Sequence, residues 1–231
     1  MCSGTALCAT VFPVFDADLF RFLRELARHN ERRWFLGNKA RYEMTVREPM
    51  LGFIRAFAPR LRTISRYFVA DPRPVGGSMM RIYRDLRFSK DKTPYRTSAA
   101  AHFSHADADE QPAPGFYLHL EPGRSFVGCG LWHPDAASLR SLRNAIVAQP
   151  PRWRRAMRGL KLEGGSLARP PRGYDPDHAL MADLKRTDFI VSARFGDRTV
   201  CAPGFLGRFT RECRRAAPLM RFLTTSLGLP F

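Results

Sequence analysis

Lysine is scarce in this chain. Of the 38 cationic side chains, 33 are Arg and five are Lys, and the formal net charge is +17. A positive charge of this size is common among proteins that bind nucleic acids. A strong bias towards Arg, together with many Ala, Pro and Gly residues, also results from genomic base composition. We therefore expect part of the charge to be a general property of the surface rather than a binding site.

Cysteines are few and follow no recognisable spacing. The chain has five, and no two of them form a C-x-x-C pair. This argues against a disulfide framework and against a zinc ribbon. A His-x-x-His pair at 102–105 is followed by Asp107 and Asp109, but its spacing fits neither the helical nor the zinc-finger pattern of metal ligands. The sequence thus predicts no metal site, and Cys129, in a glycine-flanked apolar run, is expected to be a small core residue.

Long apolar runs and nucleotide-binding motifs are also missing. No run is long enough to cross a bilayer, and residues 1–15 lack the basic and apolar regions of a secretory signal. We therefore expect a cytoplasmic protein with no membrane partner. The chain has no P-loop, no dinucleotide glycine fingerprint and no G-x-S-x-G elbow. These absences leave the cofactor, the reaction and the oligomeric state open.

Apolar residues are plentiful enough to build a large core. They make up 45% of the chain, aromatic residues make up 12%, and 18 residues are Phe. We predict one α+β domain over residues 1–231, either as a single unit or with an appended helical part from about residue 150. Apolar residues at helical spacing predict a helix capped by Asp16, a short helix after Glu31, and a third from Pro49 to about Ile64. Further helices are expected at 135–147, 151–160 and 203–227.

The middle of the chain has the alternation that is typical of β-strands. Strands are predicted at 66–69, 78–83, 97–103, 115–121, 125–133 and 189–195. Segments 115–121 and 125–133 form an antiparallel hairpin, in which His119 shares a face with Tyr117 and Glu121. Gly128 and Gly130 in its second strand indicate a bulge or a close approach to the backbone. The predicted fold is therefore an antiparallel sheet packed against N-terminal and C-terminal helices.

An unusually dense group of ionic side chains lies at residues 81–95, which we call the charged segment. Four cations recur there at intervals of three residues, with two aspartates, a further lysine and a tyrosine among them: Arg81, Arg84, Arg87 and Lys90, with Asp85, Asp91, Lys92 and Tyr95. Packing alone does not explain this density. In an extended strand Arg84 would share the apolar side with Ile82 and Leu86, where it needs a carboxylate partner. Either Asp85 or Asp91 can supply it.

We favour an anion-binding site at the charged segment. Fixed and partly desolvated Arg and Lys side chains bind phosphate and carboxylate groups, so the expected ligand is small, anionic and phosphorylated. The candidate ligand-binding residues are Arg81, Arg84, Arg87, Asp91, Lys92 and Trp132. Arg87 and Lys92 are expected to hold the anion, and Trp132 either lines the pocket or fills the core. Tyr95, His119 and Asp85 are the candidates for acid–base or phosphoryl chemistry.

Two other interpretations remain open. In the first, the charged segment is a network of ion pairs that pins a long loop onto the sheet, and its role is structural. In the second, the chain is a nucleic-acid-binding module that uses its basic surface. The predicted helix at 150–159 has one Trp, Trp153, among four Arg residues, and such a helix suits contact with a nucleic-acid backbone.

The charged segment also carries the pattern R-x-x-R-D-x-R-F-x-x-[DN]-K-x-x-Y without a gap. Here the chain resembles the DUF2461 family of uncharacterised bacterial proteins, of which this pattern is the hallmark. The resemblance extends to N-E-R-R-W-F near Trp34, to G-F-Y-L-H-L at 115–120 and to the G-x-G-L-W-x-P segment that follows. It implies a single-domain extent and a central role for the charged segment. It implies no activity, ligand or cofactor.

Overall fold

The computed structural model describes residues 14–87, 89–108 and 113–231. Three parts of the predictions fall outside these residues: the N-terminal segment, Phe88 of the charged segment and Asp109 beside the His-x-x-His pair. Helices precede and follow a four-stranded antiparallel sheet, so the predicted α+β class is confirmed. Within the part of the chain that the structure describes, no helix is both long and apolar enough to span a bilayer.

The N-terminal helices are α1 (Ala17–Arg28), α2 (Arg32–Gly37), α3 (Lys39–Tyr42) and α4 (Glu48–Arg62). Asp16 caps α1 as predicted, because its carboxylate accepts hydrogen bonds from the backbone N–H groups of Asp18 and Leu19. The helix ends at Arg28, with His29 as its C-cap. Its apolar stripe is buried in the core.

The helix predicted to start near Pro49 is the continuation of an earlier one. A π-helical turn, Glu43–Arg47, joins α3 to α4 without a break. Proline has no N–H group, and its ring clashes with the carbonyl group four residues earlier in an α-helix. In the π-turn the Glu48 N–H donates to the Glu43 carbonyl, five residues back. The wider turn lets Pro49 follow directly within the helical run.

The sheet has the order β1-β2-β3-β4, and every neighbouring pair is antiparallel. Its strands are β1 (Ala99–Ser104), β2 (Gly115–Leu120), β3 (Ser125–Leu131) and β4 (Phe189–Phe195). The strands predicted at 66–69 and 78–83 are wrong as full strands: they form single bridges, Phe68 with His105, Met79 with Ala101 and Tyr83 with Tyr95. The intervening D-P-R-P-V-G-G stretch turns the chain too sharply for a longer ladder.

Gly130 lets β3 and β4 approach closely, as the glycine inside the predicted strand indicated. Its φ is 139°, and a Cβ atom at this position would lie 2.0 Å from the carbonyl oxygen of Phe189. Both the backbone conformation and the contact therefore require glycine. Gly128, by contrast, has ordinary space around it, with the nearest atom 3.7 Å from such a Cβ.

The C-terminal half combines helices with β4 and with a largely irregular segment between residues 157 and 180. It contains α5 (Ala136–Ala148), α6 (Pro150–Ala156), α7 (Met181–Leu184), α8 (Asp197–Val200) and α9 (Phe205–Ser226). Helix α9 packs against β3, α4 and α6. Cys129 is buried in this core, as predicted. One buried apolar cluster includes residues of α1, of the sheet and of α9, so these elements share a core.

Candidate ligand-binding site

The charged segment forms an ordered loop whose two ends are joined. Tyr83 and Tyr95 form an antiparallel bridge, the Arg84 N–H donates to the Pro94 carbonyl, and the Arg96 N–H donates to the Ile82 carbonyl. These bonds close the loop in the manner of a hairpin. Residues 84–87 and 89–94 therefore belong to one closed loop.

Ion pairs hold the inside of this loop. The Arg84 guanidinium group, 26% exposed, donates to the carboxylate of Asp91 and to the hydroxyl of Thr93. Of the two carboxylates that the sequence offered to Arg84, Asp91 is thus the partner. The other, Asp85, accepts a forked pair of bonds from Arg87, with the closest contact at 2.7 Å. Both aspartates are therefore engaged within the loop.

These contacts lower the pKa values of the two aspartates. The backbone N–H of Thr93, the Arg84 guanidinium and the Thr93 hydroxyl lower the pKa of Asp91 to about 2. The Arg87 side chain and backbone N–H lower the pKa of Asp85. Hydrogen bonds to the charged form of a carboxyl group favour that form. Both side chains are consequently ionised at neutral pH.

Aromatic stacking and an amide from the link between α1 and α2 anchor the loop to the body of the protein. The buried Tyr95 ring stacks on Phe35 of α2, with ring centroids 4.1 Å apart. The Asn30 side chain donates to the Tyr95 carbonyl at 2.9 Å and accepts from the Tyr95 N–H at 3.0 Å. Burial raises the pKa of Tyr95. Its phenol therefore stays protonated at neutral pH and can act as a hydrogen-bond donor.

A cleft of about 360 Å³ lies beside the loop. Its lining combines two arginines, two aspartates, hydroxyl-bearing residues and the anchors of the loop: Asn30, Arg84, Asp85, Asp91, Thr93, Tyr95, Arg96, Thr97 and Ser98. Arg96 is exposed, and no carboxylate of the described residues lies within 4 Å of its guanidinium group. The cleft thus offers one arginine held by partners and one whose charge is not matched.

Arg96, Thr97 and Ser98 line the cleft but were not predicted from the sequence as site residues. The three-residue repeat of cations is interrupted at Thr93, and the predicted charged segment ends at Tyr95. The bridge between Tyr83 and Tyr95 brings them to the cleft. Pairing of that kind depends on tertiary structure, so the only local signal was their position directly after the charged segment.

A family comparison covers most of the chain. The family model described as "Conserved hypothetical protein (DUF2461)" matches residues 18–222 of the 231. The chain belongs to the DUF2461 family. This confirms the predicted family. Searches of curated proteins and of solved structures each found no significant match. The description of DUF2461 names no ligand and no reaction, so membership assigns no chemistry to the cleft.

In this DUF2461 protein, three of the cations predicted to share a site do not line the cleft. Arg81 lines a separate cavity of about 250 Å³ together with Lys39, Glu43 and Arg47. The Arg87 side chain is 77% exposed and lies over Asp85 outside the cleft. The ammonium group of Lys92 donates to the Leu86 carbonyl at 3.1 Å. Alternation along the extended backbone explains why Arg81 faces away from Arg84.

His119 also lies away from the cleft in this member of DUF2461. It projects from β2 on the face of the sheet opposite the core, as its predicted alternation required. Its Nδ1 is 3.2 Å from the Tyr117 hydroxyl and its Nε2 is 3.2 Å from the Glu121 carboxylate. Burial raises the pKa of Tyr117, and the charge of Arg96 partly opposes this rise. Of the three proton carriers suggested by the sequence, Asp85 and Tyr95 line the cleft and His119 does not.

Trp132 does not fill the core, and it lines none of the cavities described in this article. Its side chain is 63% exposed, and its ring lies 5.3 Å from that of His133. Strand β3 ends at Leu131, and His133 has a φ of 48°, so the chain turns away from the sheet there. The sheet register puts this turn at the end where β1 finishes, whereas the charged segment precedes the start of β1.

The His-x-x-His pair is divided between two environments. His102 is exposed, and its Nδ1 is 3.0 Å from the Ser104 hydroxyl. His105 is buried, and its Nε2 is 2.8 Å from the Pro230 carbonyl oxygen. Three residues apart on an extended chain, the two rings point to opposite sides. Among residues 14–87, 89–108 and 113–231, no group of three or more His, Cys, Asp or Glu side chains is arranged to hold a metal ion.

Proposed function

We propose that the cleft beside the charged segment binds a small anionic ligand, with its phosphate or carboxylate group on Arg96. The main support is the exposed Arg96 guanidinium group, which lines the cleft and has no carboxylate of the described residues within 4 Å. An Arg fork matches the oxygen atoms of a phosphate or carboxylate group in pairs. Thr97 and Ser98 line the same cleft, and their hydroxyl groups can donate to further ligand oxygens.

The acidic side chains of the cleft limit which anions suit it. Asp85 and Asp91 contribute two negative charges to a lining that has two positive ones, Arg84 and Arg96. A compact polyanion would meet repulsion there. A ligand with one phosphate or carboxylate group and a body rich in hydroxyl or amino groups fits better, because that body can donate hydrogen bonds to the ionised aspartates.

Neutralising Arg96 tests this proposal. Wild type, Arg96→Gln and the control Arg62→Gln are screened by thermal unfolding at low salt against inorganic phosphate, sugar phosphates and hydroxy acids. Arg62 is an exposed residue at the end of α4 and does not line the cleft. A ligand that binds only the folded state raises the melting temperature. We expect this rise in wild type and in Arg62→Gln, and its loss in Arg96→Gln.

Two results would count against the proposal. One is that no compound carrying a phosphate or carboxylate group changes the melting temperature of wild type. The other is that both substitutions weaken binding equally, because a general attraction to the basic surface would then explain it.

The ion-pair interpretation has its own support. Arg84 and Arg87 each have a carboxylate partner inside the loop. We propose that these pairs shape the wall of the cleft, so that bracing and binding are two roles of one segment. The nucleic-acid interpretation loses the support of Trp153, because this side chain is only 1% exposed and its Nε1–H donates to Asp183 at 2.8 Å. A buried indole cannot stack on a base.

A further inference from the structure

A third cavity, of about 500 Å³, lies where α6 meets α9. Four guanidinium groups line it: Arg152 and Arg155 from α6, and Arg214 and Arg221 from α9. No acidic side chain belongs to its lining, and no carboxylate of the described residues lies within 4 Å of any of the four. This distinguishes it from the cleft at the charged segment, where two aspartates balance two arginines.

Neutral partners position three of these arginines. Arg152 donates to the side-chain oxygen of Gln149 at 3.0 Å and to the Thr225 hydroxyl at 2.8 Å. Arg214 donates to the Thr63 hydroxyl at 3.0 Å. The guanidinium carbon of Arg221 lies 4.6 Å from the centre of the Phe231 ring. These contacts orient the side chains and leave their positive charges unbalanced, which is the arrangement that recognition of an anion requires.

The rest of the lining is apolar. Phe231, which is half-buried, contributes an aromatic ring, and Ile64, Ala217 and Pro218 contribute aliphatic surface. Phe222 is buried behind this surface, under the Arg152 guanidinium group. The volume lies within the range of small-molecule sites, which are mostly apolar with a few placed polar groups. Guanidinium planes also stack on flat rings. The cavity can therefore accommodate a ligand that combines an apolar body with several negative charges.

We propose that this cavity binds an organic anion that carries two or more negative charges on an aromatic body, the chemistry of a nucleotide. The anionic groups lie on Arg155 and Arg221, and the aromatic body lies on the apolar surface between α6 and α9. This site is built from elements that do not line the cleft at the charged segment, and it takes a more highly charged ligand. The proposal therefore does not depend on the function proposed for that cleft.

A fluorescent nucleotide, N-methylanthraniloyl-ATP, provides the probe. Its binding is measured by fluorescence anisotropy at low salt for wild type and for two double variants. Arg155→Gln/Arg221→Gln removes two charges from the cavity. Arg154→Gln/Arg211→Gln removes two charges from exposed positions on the same helices that do not line it. Circular dichroism checks that all three proteins are folded.

We expect the cavity variant to bind the probe about tenfold or more weakly, because charge-assisted hydrogen bonds are lost. The control variant should differ from wild type by about twofold or less. Unlabelled ATP should displace the probe better than inorganic pyrophosphate does, because pyrophosphate lacks the aromatic body. Arg96→Gln should bind the probe like wild type, which separates this site from the cleft at the charged segment.

Three results would overturn the proposal. The first is that the probe does not bind wild type at millimolar concentration. The second is an equal loss of binding in both double variants, which would indicate a general basic surface. The third is displacement of the probe by a single-stranded oligonucleotide far more effectively than by ATP, which would assign the surface to a nucleic-acid backbone.

Discussion

Asp91 links Arg84 to Thr93 across the charged segment. Its carboxylate accepts hydrogen bonds from the Thr93 backbone, the Thr93 hydroxyl and Arg84, and its pKa is about 2 instead of 3.8. Unfolding removes these donors, so the pKa returns to its ordinary value. Because the folded-state pKa is the lower one, the stabilisation is complete above the ordinary value and is lost as the pH falls through about 2.

We therefore expect the loop to loosen between about pH 4 and pH 2. A titration of the Asp91 side-chain carboxyl carbon by NMR measures the pKa directly. The Asp91→Asn variant assigns the signal, and the chemical shift of its Thr93 amide should already differ from wild type at neutral pH. An Asp91 carboxyl group that titrates at its ordinary value would show that the bonds to Arg84 and Thr93 are not formed in solution.

At the level of single residues, the sequence predicted that a partly buried cation requires a carboxylate more reliably than it predicted which carboxylate it binds. The apolar neighbours of Arg84 predicted that it must have a carboxylate, but Asp85 and Asp91 were equally plausible from spacing. The choice depends on the turn between Leu86 and Thr93, which brings Asp91 back to Arg84 and leaves Asp85 beside Arg87. Loop geometry of this kind has no periodic signal in the sequence.

Asn30, two residues after α1, bonds the charged segment to the N-terminal helical region. Its amide makes both bonds to the backbone of Tyr95. We expect Asn30→Ala to lower the free energy of unfolding by about 1–3 kcal/mol, because a partly buried N–H and carbonyl group lose their partners. Amide hydrogen exchange should become faster in residues 82–96 than in the rest of the protein.

Asn38→Ala serves as the control for this substitution. The Asn38 amide bonds to the Trp34 carbonyl within its own helical region, so its loss should leave exchange in residues 82–96 unchanged. If Asn30→Ala and Asn38→Ala change the exchange of that segment equally, the bonds from Asn30 to Tyr95 do not account for its attachment to the N-terminal helices.

At the level of elements, amphipathic periodicity predicted the helices and the central strands well, but it did not predict the segments at the edge of the sheet. The hairpin of β2 and β3 and the helix after Asp135 follow directly from alternation and capping. Segments 66–69 and 78–83 have strand composition, yet each forms only isolated bridges. The turn between them is visible in the sequence, but how it places them against the outer edge of β1 depends on tertiary structure.

For the whole molecule, the net charge of +17 predicted a basic surface but not where charge would remain unmatched. In the charged segment, aspartates engage Arg84 and Arg87. The cavity between α6 and α9 has fewer cations and no acidic lining. Its arginines are distant in sequence, so only the packing of the two helices brings them together.

The same packing decides whether the chain unfolds as one unit. Trp153 of α6 lies in the core beside Phe222 of α9, and Trp34 packs on the N-terminal side of the same buried cluster. We expect one cooperative transition, because no boundary near residue 150 divides this cluster.

Two variants test this cooperativity: Trp132→Phe/Trp153→Phe keeps only Trp34, and Trp34→Phe/Trp132→Phe keeps only Trp153. In each variant the urea midpoint from tryptophan fluorescence should equal the midpoint from far-ultraviolet circular dichroism. A Trp153 transition that precedes the loss of helical signal, with the Trp34 transition following it, would instead show that the helices after residue 150 form a separate, less stable part.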